Sequence, residues 1–136
     1  MYTLDDRDGK TLLHNVPPPS SFDPSKQTIF LVHGFLQGTS GHSIFGWVDR
    51  AKDAFLDNQL DYNIITTNWH DGALVGTFDL DYPNASQNTR VVGDVMGALM
   101  NWLAESTDMP HEKIYCAGHS LGAHVCGSSH CFKNMA

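Results

Sequence analysis

Three short apolar stretches alternate along the chain with segments whose apolar residues return every three or four positions. "QTIFLVH" (27–33) is apolar and β-branched at Thr28 and Ile29, and it reads as a buried strand ending at His33–Gly34. "YNIITTNW" (62–69) and "EKIYCAG" (112–118) read as two more strands. Between them, Trp47, Val48, Ala51, Phe55 and Leu56 predict an amphipathic helix over 45–57. Val91, Val92, Val95, Met96, Leu99, Trp102 and Leu103 predict a long helix over about 85–106, with these residues facing the core and Asn84 or Ser86 as its cap. A third helix starts at Ser120. Strand and helix in alternation predict an α/β fold, a parallel sheet covered by helices on both faces.

The intervening segments are turn-rich. Three consecutive prolines in "NVPPPSSFDPS" (15–25) exclude a helix and a paired strand. Tyr2–Leu4 and Thr11–Leu13 suggest a small hairpin around "RDG". "LQGTSGHS" (36–43) reads as a loop, and "HDGALVGTFDLDYPNAS" (70–86) as irregular.

Length adds that 136 residues make one domain, with 41% hydrophobic residues and three Trp to fill a core. Charge excludes one class of partner. Eight Lys and Arg against 15 Asp and Glu leave a net −7 with no basic stripe, which argues against nucleic acid. No apolar run approaches a membrane span; the longest, Ile29–Val32, has four residues. "MYTLDDRDGK" has neither the basic nor the apolar region of a signal peptide.

The chemistry concentrates in "IYCAGHSLGAH" (114–124). Ser120 stands between Gly118 and Gly122, after a strand and before a helix. So sharp a turn strains the serine backbone and lifts its hydroxyl above the sheet edge. Side chains at Gly118 and Gly122 would collide with the adjoining strand and helix. The new helix also aims its N-terminus at negative charge developing on a substrate. Acyl transfer needs two backbone N–H donors aimed at the oxyanion. One is expected from Leu121, after the serine, and the other from Phe35, where Gly34 lets the backbone approach closely. The His33 side chain reads as a packing or hydrogen-bonding group at the strand end.

"HGF" (33–35), "NWHDGA" (68–73), "YPNASQNTRVVG" (82–93) and "GHSLGAH" (118–124) together resemble the animal neutral lipase family. That family includes pancreatic lipase, lipoprotein lipases, insect yolk-type homologues and secreted phospholipases A1. The resemblance covers about residues 1–127, and the tail 128–136 diverges from it. It implies an α/β-hydrolase fold, hydrolysis of carboxylic esters of lipids, a lipid–water interface as working surface, and an extracellular location. It carries Ser120 over as nucleophile, with the Phe35 and Leu121 N–H groups as oxyanion donors. Asn68 stands where many relatives have Asp.

The departure from the pattern lies downstream of Ser120. The triad order on this fold is Ser, then Asp, then His. No Asp or Glu follows Ser120, and the only later histidines are His124 and His130. His124 is expected to point away, one turn along the serine's own helix. The chain therefore reads as the N-terminal part of a hydrolase domain, a fragment or a truncated product, and as a poor enzyme by itself. The alternative is a non-catalytic binding or storage homologue. Upstream, His14, His42, His70 and His111 are candidate bases in principle. His111 begins the strand that ends at Ser120 and is expected at the wrong edge.

No metal site or cofactor is expected. His119 and His124 lie five apart, a poor helical match, and no Cys-x-x-Cys occurs. The cysteines are Cys116, Cys126 and Cys131, an odd number. Cys116 is expected as a buried thiol on the strand, Cys126 as a thiol pairing elsewhere, and Cys131 as part of the divergent tail. "NAS" (84–86) fits an N-glycosylation acceptor as well as a helix cap.

Overall fold

The computed structural model describes residues 1–9, 16–36, 46–73 and 82–129. Strands β1 (Gln27–Val32), β2 (Tyr62–Thr67) and β3 (Ile114–Gly118) form a parallel sheet in the order β2-β1-β3. Helices α1 (Trp47–Asp57), α2 (His70–Ala73), α3 (Tyr82–Thr107) and α4 (Leu121–Ser129) lie in the connections and after β3. A 3₁₀ turn, His111–Lys113, leads into β3.

β1 is central and buried on both faces, which explains its unbroken apolar run. Its residues alternate between two cores. Phe30 and Val32 join Ile65, Met96, Met100, Leu103, Leu121 and Val125 beneath α3 and α4. Leu31 joins Ile64, Val48 and Leu56 on the α1 face. Helices thus cover both faces, as the alternation of elements predicts. Each fully buried side chain of this size contributes about 1.5–3 kcal/mol.

α1 behaves as its periodicity predicts: Val48 and Leu56 are buried, with Trp47, Ala51 and Phe55 packed beside them. α3 does not. Val91 and Val95 are 64% and 67% exposed. The buried face is Ala85, Thr89, Gly93, Met96, Gly97, Met100, Leu103 and Ala104. Small residues win this face because α4 lies close against it. A Cβ on Gly93 would stand 2.9 Å from the Val125 carbonyl oxygen and would also meet Ser128. The helix also starts earlier than expected, at Tyr82, so Asn84 and Ser86 lie inside it and neither is its cap.

One further expectation is corrected, and others fall in part outside the described residues. Tyr2 forms an antiparallel bridge with Ile64 at the β2 edge, with backbone hydrogen bonds of 2.7 and 2.9 Å. Tyr2 therefore meets the edge of the sheet, and Thr11–Leu13, the other half of the expected hairpin, falls outside the described residues. Of the 70–86 segment expected to be irregular, His70–Ala73 is helical, residues from Tyr82 on belong to α3, and 74–81 lie outside the described residues. The loop read at 36–43 is described only at Leu36. Buried Asn63 holds the turn before β1: its side chain accepts from the Asp23 N–H and donates to the Asp23 carbonyl and the Thr28 hydroxyl.

The expectation of two separate thiols is overturned. Cys116 and Cys126 form a disulfide across the turn that contains Ser120, with Cα atoms 5.7 Å apart. The reason is geometric. After the turn, α4 runs back beside β3, so a residue four positions before the serine and one six positions after it come level. Cys131 lies outside the described residues. A loop this short contributes about 3 kcal/mol by constraining the unfolded chain. The double variant Cys116→Ser/Cys126→Ser should therefore lose about 2–4 kcal/mol in urea unfolding. Equal midpoints and slopes for variant and parent would contradict the assignment.

Candidate active site

β3 ends at Gly118, α4 starts at Leu121, and Ser120 between them has φ 56°. That left-handed conformation pushes a Cβ toward the following carbonyl, at a cost of order 1–3 kcal/mol. Three backbone hydrogen bonds hold it. His119 N–H donates to the Val32 carbonyl (3.2 Å), extending the β1–β3 ladder. Gly122 N–H donates to the His119 carbonyl and Ala123 N–H to the Ser120 carbonyl, each at 2.9 Å. Leu121 belongs to the first turn of α4, whose N–H groups have no intrahelical acceptor.

The two glycines are set by close approach. A Cβ on Gly118 would run into the Gly122 backbone, and one on Gly122 into the Val32 carbonyl, with the His33 oxygen at 2.7 Å. Gly34 faces the same turn: a Cβ there would lie 2.7 Å from the His119 oxygen and 3.0 Å from Ser120 Cβ. The structure thus brings Gly34, Gly118, Ser120, Leu121 and Gly122 together at the carboxyl ends of β1 and β3, where α/β sheets bind ligands. Phe35 follows Gly34 directly. Its ring packs into the core and meets Tyr82 edge-on, centroids 5.2 Å apart. Leu36 also has positive φ, 54°, and its N–H donates to the Ala73 carbonyl at 3.4 Å. Among the described residues, the other non-glycine positions with positive φ, Gln59 and Asp108, lie just past the ends of α1 and α3, where such a conformation closes a helix.

His33 anchors this segment and is fully buried. Its Nε2 accepts from the Trp69 N–H at 3.1 Å, so Nε2 carries no proton. Nδ1 then carries it and donates to the Gly34 carbonyl at 3.0 Å. The Trp69 indole N–H returns a bond to the His33 carbonyl at 2.8 Å, and the two rings stack 5.5 Å apart. The loop after β2 is thereby locked onto the end of β1. His33 does the hydrogen bonding expected of it. Its partner Trp69 falls inside the strand reading 62–69 and the segment "NWHDGA", but nothing in the sequence pairs it with His33.

Of the remaining described histidines, His111, His119 and His124 are exposed and His70 is half-buried. His111 is exposed at the opposite end of β3 and pairs with Asn101 at 3.3 Å. His124 is exposed on α4, beside Arg90 and Ser128. His70 opens α2. His119 lies against Trp47, ring centroids 6.3 Å apart. His14, His42 and His130 lie outside the described residues. Among the described residues no group of His, Cys, Asp and Glu could hold a metal ion.

Burial holds the His33 pKa below its usual 6.5, opposed in part by hydrogen bonds to Gly34 and Asn68. The ring is neutral in the folded protein, and the unfolded chain takes up the proton first. Stability is therefore full above about pH 6.5 and falls as the pH drops below it. Unfolding measured at about pH 7 and about pH 5 should show this loss. His33→Gln, whose amide oxygen can accept from Trp69 without titrating, should lose less over the same interval. Parallel losses in both proteins would contradict the neutral, locked imidazole.

With this geometry in view, the relatives are informative. The Lipase family model matches residues 3–133. Lipase member H-A of Xenopus laevis is 35% identical over 104 residues, which are 76% of this chain and 20% of that protein. Pancreatic lipase-related protein 2 of Cavia porcellus is 34% identical over 111 residues, 81% of this chain and 23% of that protein. Phospholipase A1 2 of Dolichovespula maculata is 35% identical over 107 residues, 76% of this chain and 34% of that protein. The chain thus spans about a fifth to a third of the length of these relatives. The family match, by contrast, runs through almost all of the chain and includes both the segment at the end of β1 and the turn at Ser120, and on that extent the chain belongs to the Lipase family.

Proposed function

We propose that these residues form the nucleophile half of a lipase-type carboxylic ester hydrolase. One observation carries the reading: a strained, exposed Ser120 at a strand-to-helix turn, packed against the Gly34 backbone. Ser120 Oγ attacks the ester carbonyl carbon. The carbonyl oxygen takes up negative charge and is met by the N–H groups of Leu121 and Phe35, with the α4 N-terminus adding its dipole. Gly118, Gly122 and Gly34 keep the approach open. The His33–Trp69 lock and the disulfide hold the two donor segments in register, so little reorganisation is needed when charge develops.

The reaction also needs a base to take the serine proton and an acid to orient that base. No Asp or Glu follows Ser120 in residues 121–136. His33 is committed to Trp69 and Gly34. We therefore assign both roles to groups outside residues 1–136. The substrate class is a lipid ester, triglyceride or phospholipid, met at a lipid–water interface. The location is extracellular, a reading supported by the disulfide. Among the described residues no helix is long and apolar enough to cross a membrane.

Two assays test this. In any preparation that hydrolyses a short-chain nitrophenyl ester, Ser120→Ala should lower kcat by roughly 10⁴–10⁶. Unchanged turnover would remove Ser120 from the mechanism. Residues 1–136 alone should show no serine-dependent turnover. Turnover lost in Ser120→Ala and titrating near the histidine range would place a base within these residues.

A further inference from the structure

The segment Asn84–Ala85–Ser86 plays no part in the chemistry above. It has the acceptor form Asn-x-Ser, with Ala85 in the middle and Gln87 after it, so no proline interrupts it. The fold removes the competing reading of Asn84 as a helix cap. A cap flanks the helix, whereas α3 begins at Tyr82 and Asn84 is its third residue. Within α3, Asn84 and Ser86 are exposed while Ala85 between them is fully buried in the core. Both Asn84 and Ser86, the two ends of the acceptor segment, are therefore open to solvent.

The disulfide supplies the second, independent observation. Disulfides persist in oxidising compartments, and the secretory pathway is where oligosaccharide is joined to asparagine. We propose that Asn84 carries an N-linked glycan. In the transfer, Asn84 Nδ2 forms a bond to the anomeric carbon of an oligosaccharide donated by a lipid diphosphate. The bond from that carbon to the diphosphate oxygen breaks, the lipid diphosphate leaves as the anion, and the amide nitrogen gives up one proton. The helical state of the finished segment is no obstacle, because transfer precedes formation of α3.

The position has a consequence. Tyr82, two residues before Asn84, is 47% exposed and packs edge-on against Phe35. Residues two apart on a helix do not face each other, so a glycan on Asn84 leaves α3 on another side than the Tyr82 ring and the Phe35 segment to which the oxyanion role is assigned. The glycan does not depend on that role: it rests on the acceptor segment, its exposure and the compartment, so the two readings fail separately.

The test is to express residues 1–136 in animal cells behind a cleavable signal peptide and recover both the secreted and the endoplasmic-reticulum pools. Folding is not required, since the sugar is added to the entering chain. Peptide N-glycosidase treatment in heavy-oxygen water, followed by peptide mass spectrometry, reads Asn84 directly. The expected result is label at Asn84 in most of the chain. Asn84→Gln and Ser86→Ala should each abolish the glycan and its gel shift, and Ser86→Thr should retain both. Unmodified Asn84 in translocated, disulfide-bonded chain, or a gel shift that survives Asn84→Gln, would overturn the proposal.

Discussion

Everything around Ser120 depends on how closely α4 approaches the carbonyl end of β1. Gly122 lies against the Val32 and His33 carbonyls so tightly that no side chain fits, and Gly118 lies equally tightly against Gly122. The contact fixes where the helix can begin. With β3 already paired to β1, the chain has two residues, His119 and Ser120, in which to turn from strand to helix. An ordinary right-handed conformation at Ser120 would send α4 elsewhere, so the serine carries the strain. The exposure of the hydroxyl is thus a by-product of packing that two glycines make possible.

The opposite wall is built differently. Gly34 reaches within contact distance of Ser120, and the chain leaves through Leu36, itself left-handed. Here the restraint comes from a reciprocal pair. Trp69 donates its backbone N–H to the His33 ring and its indole N–H to the His33 carbonyl. A buried imidazole with one acceptor and one donor nitrogen satisfies both neighbours only while it is neutral, and burial keeps it so. The disulfide adds a covalent tie from β3 to α4 on the other side. Two strained residues are therefore bracketed by a hydrogen-bonded lock and a covalent bond.

Much of this was legible because each element announces itself by period. The run Phe30–Val32 could hardly be other than a central strand, and Gly118–Gly122 after "KIYCA" could hardly avoid a sharp turn. The α3 face was misread for a physical reason. Hydrophobicity marked Val91 and Val95, but the closeness of α4 selected Ala85, Gly93 and Gly97 instead. Small residues at four-residue spacing were the available signal. The disulfide was also within reach. Four residues of strand cover about 13 Å and six of helix about 9 Å, so two elements folded back on each other bring Cys116 and Cys126 near the same level. The His33–Trp69 pair was not legible, since nothing in sequence tells which backbone group a buried imidazole meets. Nor was the Tyr2–Ile64 bridge, where a nearer strand partner looked the simpler choice.

The proposal turns on one oxygen atom: the charge that forms on the ester carbonyl oxygen as Ser120 attacks is met by the Phe35 and Leu121 N–H groups together. A crystal structure of the protein with Ser120 phosphonylated by a short-chain alkyl phosphonate measures this directly, since the phosphoryl oxygen stands in for the oxyanion. The account predicts phosphorus bonded to Ser120 Oγ, with that oxygen about 2.7–3.1 Å from both nitrogens. A phosphoryl oxygen turned to solvent, or a Phe35 N–H directed away from it, would contradict the account.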